Sequence, residues 1–131
     1  TTLMKVTITP KYSGSLFMVM GNCGGCGTRD DSTNYEMKLA RITGGVTTTL
    51  MYPATYIGSG DASGNEDYPS FNWIDNPSPI TGTDIEYKLT GSRVGGSANC
   101  YFHHSNGKLD STMTVVELAG IPFELQNNQT F

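Results

Sequence analysis

The sequence predicts an all-β fold, a two-sheet antiparallel jelly roll or sandwich of about eight strands. Three observations predict it. Nearly every apolar cluster is short and rich in β-branched or aromatic residues, the side chains that fit a pleated, half-buried surface. The clusters are bounded by Gly, Pro, Asn, Asp or Ser, with 16 glycines and 6 prolines spread along 131 residues, as turns between strands require. No stretch shows the 3.6-residue apolar period of a convincing helix.

Residues 3–9 (LMKVTIT) place Met4, Val6 and Ile8 on one face. Residues 15–20 (SLFMVM) are apolar on both faces, Phe17 and Val19 opposing Leu16, Met18 and Met20, which is how a strand covered from both sides reads. The glycine-rich stretch 21–27 (GNCGGCG) is expected to be a turn, its glycines supplying positive φ angles and its two thiols incidental. Residues 35–42 (YEMKLARI) set Tyr35, Met37 and Leu39 against Glu36 and Lys38, and Gly44-Gly45 turns the chain into a strand over 46–51. From 53 to 79 the glycines and prolines predict mostly loop, broken by a strand over 70–75 (SFNWID) that carries the single tryptophan, Trp73. Residues 84–90 (DIEYKLT) alternate Ile85, Tyr87 and Leu89 with Glu86 and Lys88. After Gly95-Gly96, residues 97–104 (SANCYFHH) alternate Ala98, Cys100 and Phe102 with Asn99, Tyr101 and His103, and Asn106-Gly107 leads into 111–118 (STMTVVEL). One domain over 1–120 is expected, followed by an extension, 121–131 (IPFELQNNQTF).

The charge balance excludes some partners. Eight basic against twelve acidic residues, a net charge of −4 with no block of like charges, argue against nucleic acid. The longest apolar run, 16–20, is far short of the roughly 20 residues of a membrane helix, so no membrane insertion is expected. Three cysteines, an odd number, make no disulfide framework and are easier to place in a reducing compartment. The chain starts inside a strand-like segment, which reads as a piece of a longer protein.

Each chemistry leaves a faint signal. Cys23, Cys26, His103 and His104, with Cys100, would suffice as zinc ligands, but a second C-x-x-C or an H-x₃-H spacing is missing and Cys100 shares a strand face with Ala98 and Phe102. The metal site is therefore the weaker alternative, and no cofactor is expected. A redox C-x-x-C needs a helix after it, and none is predicted. A local Cys23–Cys26 disulfide would close only a small loop. Candidate acids for hydrolysis, Asp30, Asp31, Asp61, Glu66 and Asp67, all fall in Gly- or Ser-rich loops, and no G-x-S-x-G elbow occurs, so the chain is not expected to be an enzyme. The acidic loops also lack a calcium signature. Binding is better supported: Tyr52, Tyr56, Asp61, Asn65, Tyr68 and Asn72 combine rings that stack on sugars with groups that bond hydroxyls. For Tyr56 and Tyr68 a core role stands equally; Phe71 and Trp73 are expected in the core.

The run from Asp84 to Gly120, with Ser111, Thr114, Glu117 and Leu118 in a final strand of the type S-x-x-T-x-x-E-[LI], resembles the closing strands of tumour-necrosis-factor-like jelly-roll domains, which end many phage fibre and virion surface proteins. The opening TLMKVTITPKYSGSLFMVMGN is similar to the first two strands of that family. The resemblance implies a homotrimeric head in a virion, contacting other virion proteins and a host surface receptor, glycans among the candidates, with no catalytic residues to carry over. The extension 121–131 and the cysteine loop depart from the family, and the extension leaves open a capsid-decorating or vertex protein. A secreted carbohydrate-binding module is a further alternative. A trimer would also answer the two-faced strand 15–20, whose second apolar face needs cover from a neighbouring protomer, or else from a loop or tail of its own chain.

Overall fold

Period-two alternation requires strands with one face turned inward, and nine such strands occur among the described residues. The computed structural model describes residues 1–28, 33–57, 68–78, 81–102 and 111–119, with Tyr56 and Ile57 as backbone only. Among them every regular element is a strand: β1 (Thr2–Ile8), β2 (Leu16–Asn22), β3 (Gly27–Thr28), β4 (Asn34–Thr43), β5 (Val46–Ile57), β6 (Ser70–Asp75), β7 (Ile85–Gly95), β8 (Cys100–Tyr101) and β9 (Thr112–Leu118). No helix among the described residues is long and apolar enough to cross a membrane.

All pairings are antiparallel, in a four-stranded sheet ordered β1-β7-β4-β5, a three-stranded sheet ordered β6-β2-β9 and a clip of β3 with β8. The inner faces of the two larger sheets make one core. Phe17 and Val19 of β2 and Phe71 of β6 meet Tyr35, Met37 and Leu39 of β4 and Ile85, Tyr87 and Leu89 of β7. The Phe17 and Tyr87 rings cross between the sheets at 6.1 Å. In strand order, β2, β4, β5, β6 and β7 stand as B, C, C′, E and F do in an immunoglobulin-type sandwich. The chain ends are exchanged relative to that sandwich: β1 takes the place of the last strand beside β7, and β9 takes the place of the first beside β2. The terminal strands β1 and β9 therefore close one flank, and β5 and β6 border the other.

Four sequence expectations are corrected. Beyond residue 51, where a loop was expected, β5 continues through Pro53. As an edge strand it needs no amide hydrogen there, and the register shifts beside it, between Met37 and Leu39. β7 runs past Thr90, because Gly91 leaves room for the Phe102 ring, which would lie 2.6 Å from any Cβ. The strand expected over 97–104 shrinks to the two residues of β8, with residues 103 and 104 outside the described ones. Finally, the stretch 21–27 contributes no positive φ. Gly44 and Gly45 do, at 57° and 80°, in the expected turn between β4 and β5. Gly21 is small for a different reason: a Cβ there would run into the Thr112 carbonyl and stand 2.7 Å from the Phe71 ring.

Candidate binding surfaces

β2 is apolar on both faces, and the fold buries only one of them. Phe17 and Val19 are fully buried. On the outer face the register aligns Ile74, Met18 and Val116 in one row across β6, β2 and β9, with Leu16 beside Leu118 below it and Asn72, Met20 and Thr114 above it. Ile74 is 51 % exposed and Val116 37 %. The outward positions of these strands carry no charged side chain; Ser70, Asn22 and Thr112 complete the set, and the Thr112 hydroxyl donates to the Asn22 side chain. The result is an uncharged face with an apolar centre on a three-stranded sheet.

The opposite face of the same sheet carries two acids, on either side of Phe17 in one row: Asp75 on β6 and Glu117 on β9. Both are committed to internal bonds. Arg41 Nη1 reaches both Asp75 oxygens, at 2.7 and 2.9 Å, and the Tyr87 hydroxyl donates to Oδ2 at 2.8 Å. Burial pushes the Tyr87 phenol pKa up, reinforced by its bond to Asp75 and that carboxylate's charge, with Arg41 opposing. Glu117 accepts from the Lys11 and Tyr12 amides, at 2.9 and 3.1 Å to Oε1, and from the Ser15 hydroxyl at 2.8 Å. Partial removal from water raises its pKa, but the Ser15 hydroxyl, the two amides and the Lys11 charge outweigh this and leave it below the ordinary carboxylate value. Glu117 thus joins the segment between β1 and β2 to β9.

The sequence-predicted binding residues divide. Tyr52, on the edge strand β5, is 53 % exposed, and Tyr68, two residues ahead of β6, is 47 % exposed. Tyr56 stands opposite Tyr35 in the ladder. Asn72 belongs to the outer apolar face, level with Met20, and so faces away from the core. Asp61 and Asn65 lie outside the described residues, as do the candidate acids Asp30, Asp31, Glu66 and Asp67. Phe71 is in the core as expected. Trp73 is not fully there: it is opposite the buried Val19, but β6 is an edge strand, and 37 % of the residue remains exposed. Tyr52 and Trp73 therefore lie on strands bordering the same flank of the sandwich.

The cysteine loop, expected as a glycine-rich turn, packs into the interior. Cys23 and Cys26 are fully buried, with their sulfurs 3.2 Å apart. Of the alternative metal set, His103 and His104 lie outside the described residues, and no group of three or more His, Cys, Asp or Glu that could hold a metal occurs among the described ones. The Cys100 sulfur instead approaches the Asn34 carbonyl at 3.8 Å.

The Asp75, Arg41 and Tyr87 tie was missed in the sequence. A signal was present: Arg41 continues the inward phase of Tyr35, Met37 and Leu39, and Asp75 continues that of Phe71, so charges of opposite sign occupy apolar positions on two strands. No family model matches the chain, and no curated protein matches it.

Proposed function

We propose that the chain is a non-catalytic recognition and assembly module: the trimeric head of a phage or virus fibre or spike, located in the virion and attaching it to a host surface receptor. The observation that carries the proposal is the outer face of β6-β2-β9, where Leu16, Met18, Ile74, Val116 and Leu118 form an uncharged apolar surface outside a complete core. Copies of the chain cover it, as symmetric oligomers cover their apolar patches. The other flank, bordered by Tyr52 and Trp73, supplies rings for a receptor, with glycans the first class to try. Three weak sites on one particle reinforce each other by avidity. At fold level the proposal draws on the two-sheet antiparallel sandwich and on the Glu117 link between the two resembling segments. A jelly-roll assignment in particular has to accommodate the sheets of four and three strands and the exchanged chain ends.

Light scattering coupled to size exclusion tests the assembly. A mass near three chains is expected, falling to one chain in Val116→Lys with the β-sheet circular dichroism unchanged. A wild-type monomer would overturn the trimer. A receptor role is tested by binding of the assembled protein to host cells and to a glycan array, with Tyr52→Ala and Trp73→Ala expected to weaken any binding at least tenfold. If removal of residues 121–131 instead abolishes attachment to particles while the trimer persists, the chain decorates a capsid.

A further inference from the structure

We infer that Cys23 and Cys26 are a modification site: a dithiol that a small-molecule disulfide converts to an intraloop disulfide, clasping one end of the sandwich. Two thiols 3.2 Å apart need close by only about 1 Å to reach a covalent S–S length. The two residues between them, Gly24 and Gly25, add no side chain to the small ring. Neighbouring segments hold the loop. The Cys23 amide donates to the Pro69 carbonyl at 2.8 Å, the Gly24 amide donates to the Ser111 hydroxyl at 2.8 Å, and that hydroxyl lies 3.9 Å from the Cys23 sulfur. Just beyond Cys26, Gly27 and Thr28 pair with Tyr101 and Cys100. The clasp therefore sits where the chain enters β6 and β9. The sulfur of the third cysteine, Cys100, lies near the Asn34 carbonyl.

The exchange balances with a glutathione-type disulfide as oxidant. One cysteine loses its proton, and its thiolate attacks the oxidant's S–S bond, giving a mixed disulfide and one small thiolate. The second cysteine, deprotonated in turn, attacks the protein sulfur of that mixed disulfide and expels the second small thiolate. The two departing thiolates take up the two protons, so the protein is oxidised by two electrons and one oxidant disulfide becomes two thiols. Because both sulfurs are fully buried, exchange proceeds through local opening of the loop or during folding. The closed clasp is then shielded from reductant.

The test equilibrates the protein with reduced and oxidised glutathione, natively and in denaturant, then alkylates under denaturing acid-quenched conditions and maps the peptides. A Cys23–Cys26 linkage with Cys100 alkylated is expected. Half-oxidation is expected at a [GSH]²/[GSSG] ratio at least tenfold higher in the native protein than in the denatured chain, since the fold holds the thiols together. Equal or lower ratios in the native protein, a linkage through Cys100, or glutathione adducts without the internal bond would each overturn the site. Cys100→Ser leaves the pair intact and repeats the measurement without the third thiol. The result is independent of oligomeric state, so it stands or falls apart from the proposed head function.

Discussion

At the scale of single residues, two carboxylates hold the sandwich together, and they do so differently. Asp75 is an ion buried with its partners: its side chain is 6 % exposed and that of Arg41 18 %, so each depends on the other to offset lost hydration. Tyr87→Phe removes one donor and leaves the ion pair, and should cost about 1–2 kcal/mol in urea unfolding. Asp75→Ala leaves the guanidinium and the phenol without their acceptor, and should cost about 3–5 kcal/mol. A larger loss for Tyr87→Phe than for Asp75→Ala would show that the buried hydroxyl, not the ion pair, dominates the tie. Glu117 acts at the surface, where its depressed pKa links folding to pH. Its folded value lies below its unfolded value, so its contribution is fully present above the unfolded value of 4.5 and is lost as pH falls through the folded one. Glu117→Gln should lower the thermal midpoint at pH 7 and flatten its fall as pH drops below the unfolded value of 4.5. A variant whose acid limb superimposes on the wild type would assign acid sensitivity to other carboxylates.

At the scale of elements, β2 shows best how packing constrains sequence. It lies between β6 and β9, and Gly21 sits where the Phe71 ring and the β9 backbone approach it. Gly21→Ala should therefore cost about 1–3 kcal/mol, as overpacking does, although alanine raises no φ problem there. An unchanged unfolding midpoint would mean that β9 yields at no cost. The strands themselves were largely legible in the sequence, because alternation at period two states which face goes inward: Tyr35, Met37, Leu39, Ile85, Tyr87 and Leu89 are all buried as read. The two-faced character of 15–20 was equally plain, and it located the outer apolar face. What stayed hidden depends on partners distant in sequence. Pro53 ends a strand in isolation, but an edge position removes the penalty. Glycines at 21–27 read as left-handed turn formers, yet Gly21 answers to crowding by Phe71, and the cysteines beyond it are drawn into the core. Trp73 reads as core because of its size and phase, but exposure was decided by β6 being an edge strand, which only the sheet order tells. Of the candidate site, the aromatic types were legible; their separation, with Asn72 on the outer face and Tyr52 on the other sheet, was not.

At the scale of the whole molecule, the same sheet that closes the core presents Ile74, Met18 and Val116 to the outside, and covering that row must change how stability depends on concentration. If three chains unfold from one particle, each tenfold increase in protein concentration adds about 2.7 kcal/mol per trimer at the midpoint, so the thermal midpoint climbs with concentration. Val116→Lys puts a charge into the centre of that face, and in a trimer its cost should appear as loss of that dependence rather than loss of the fold, since Val116 lies outside the core. A midpoint that stays flat from micromolar to millimolar wild-type protein would instead place the cover within one chain. Removing residues 121–131 then becomes the deciding comparison, because an intramolecular cover from that segment would leave the truncated chain less stable and prone to associate through the newly bared row. A trimer behaves in the opposite sense: its truncated form keeps both its mass and its concentration dependence, because the surface that stabilises it is the sheet itself.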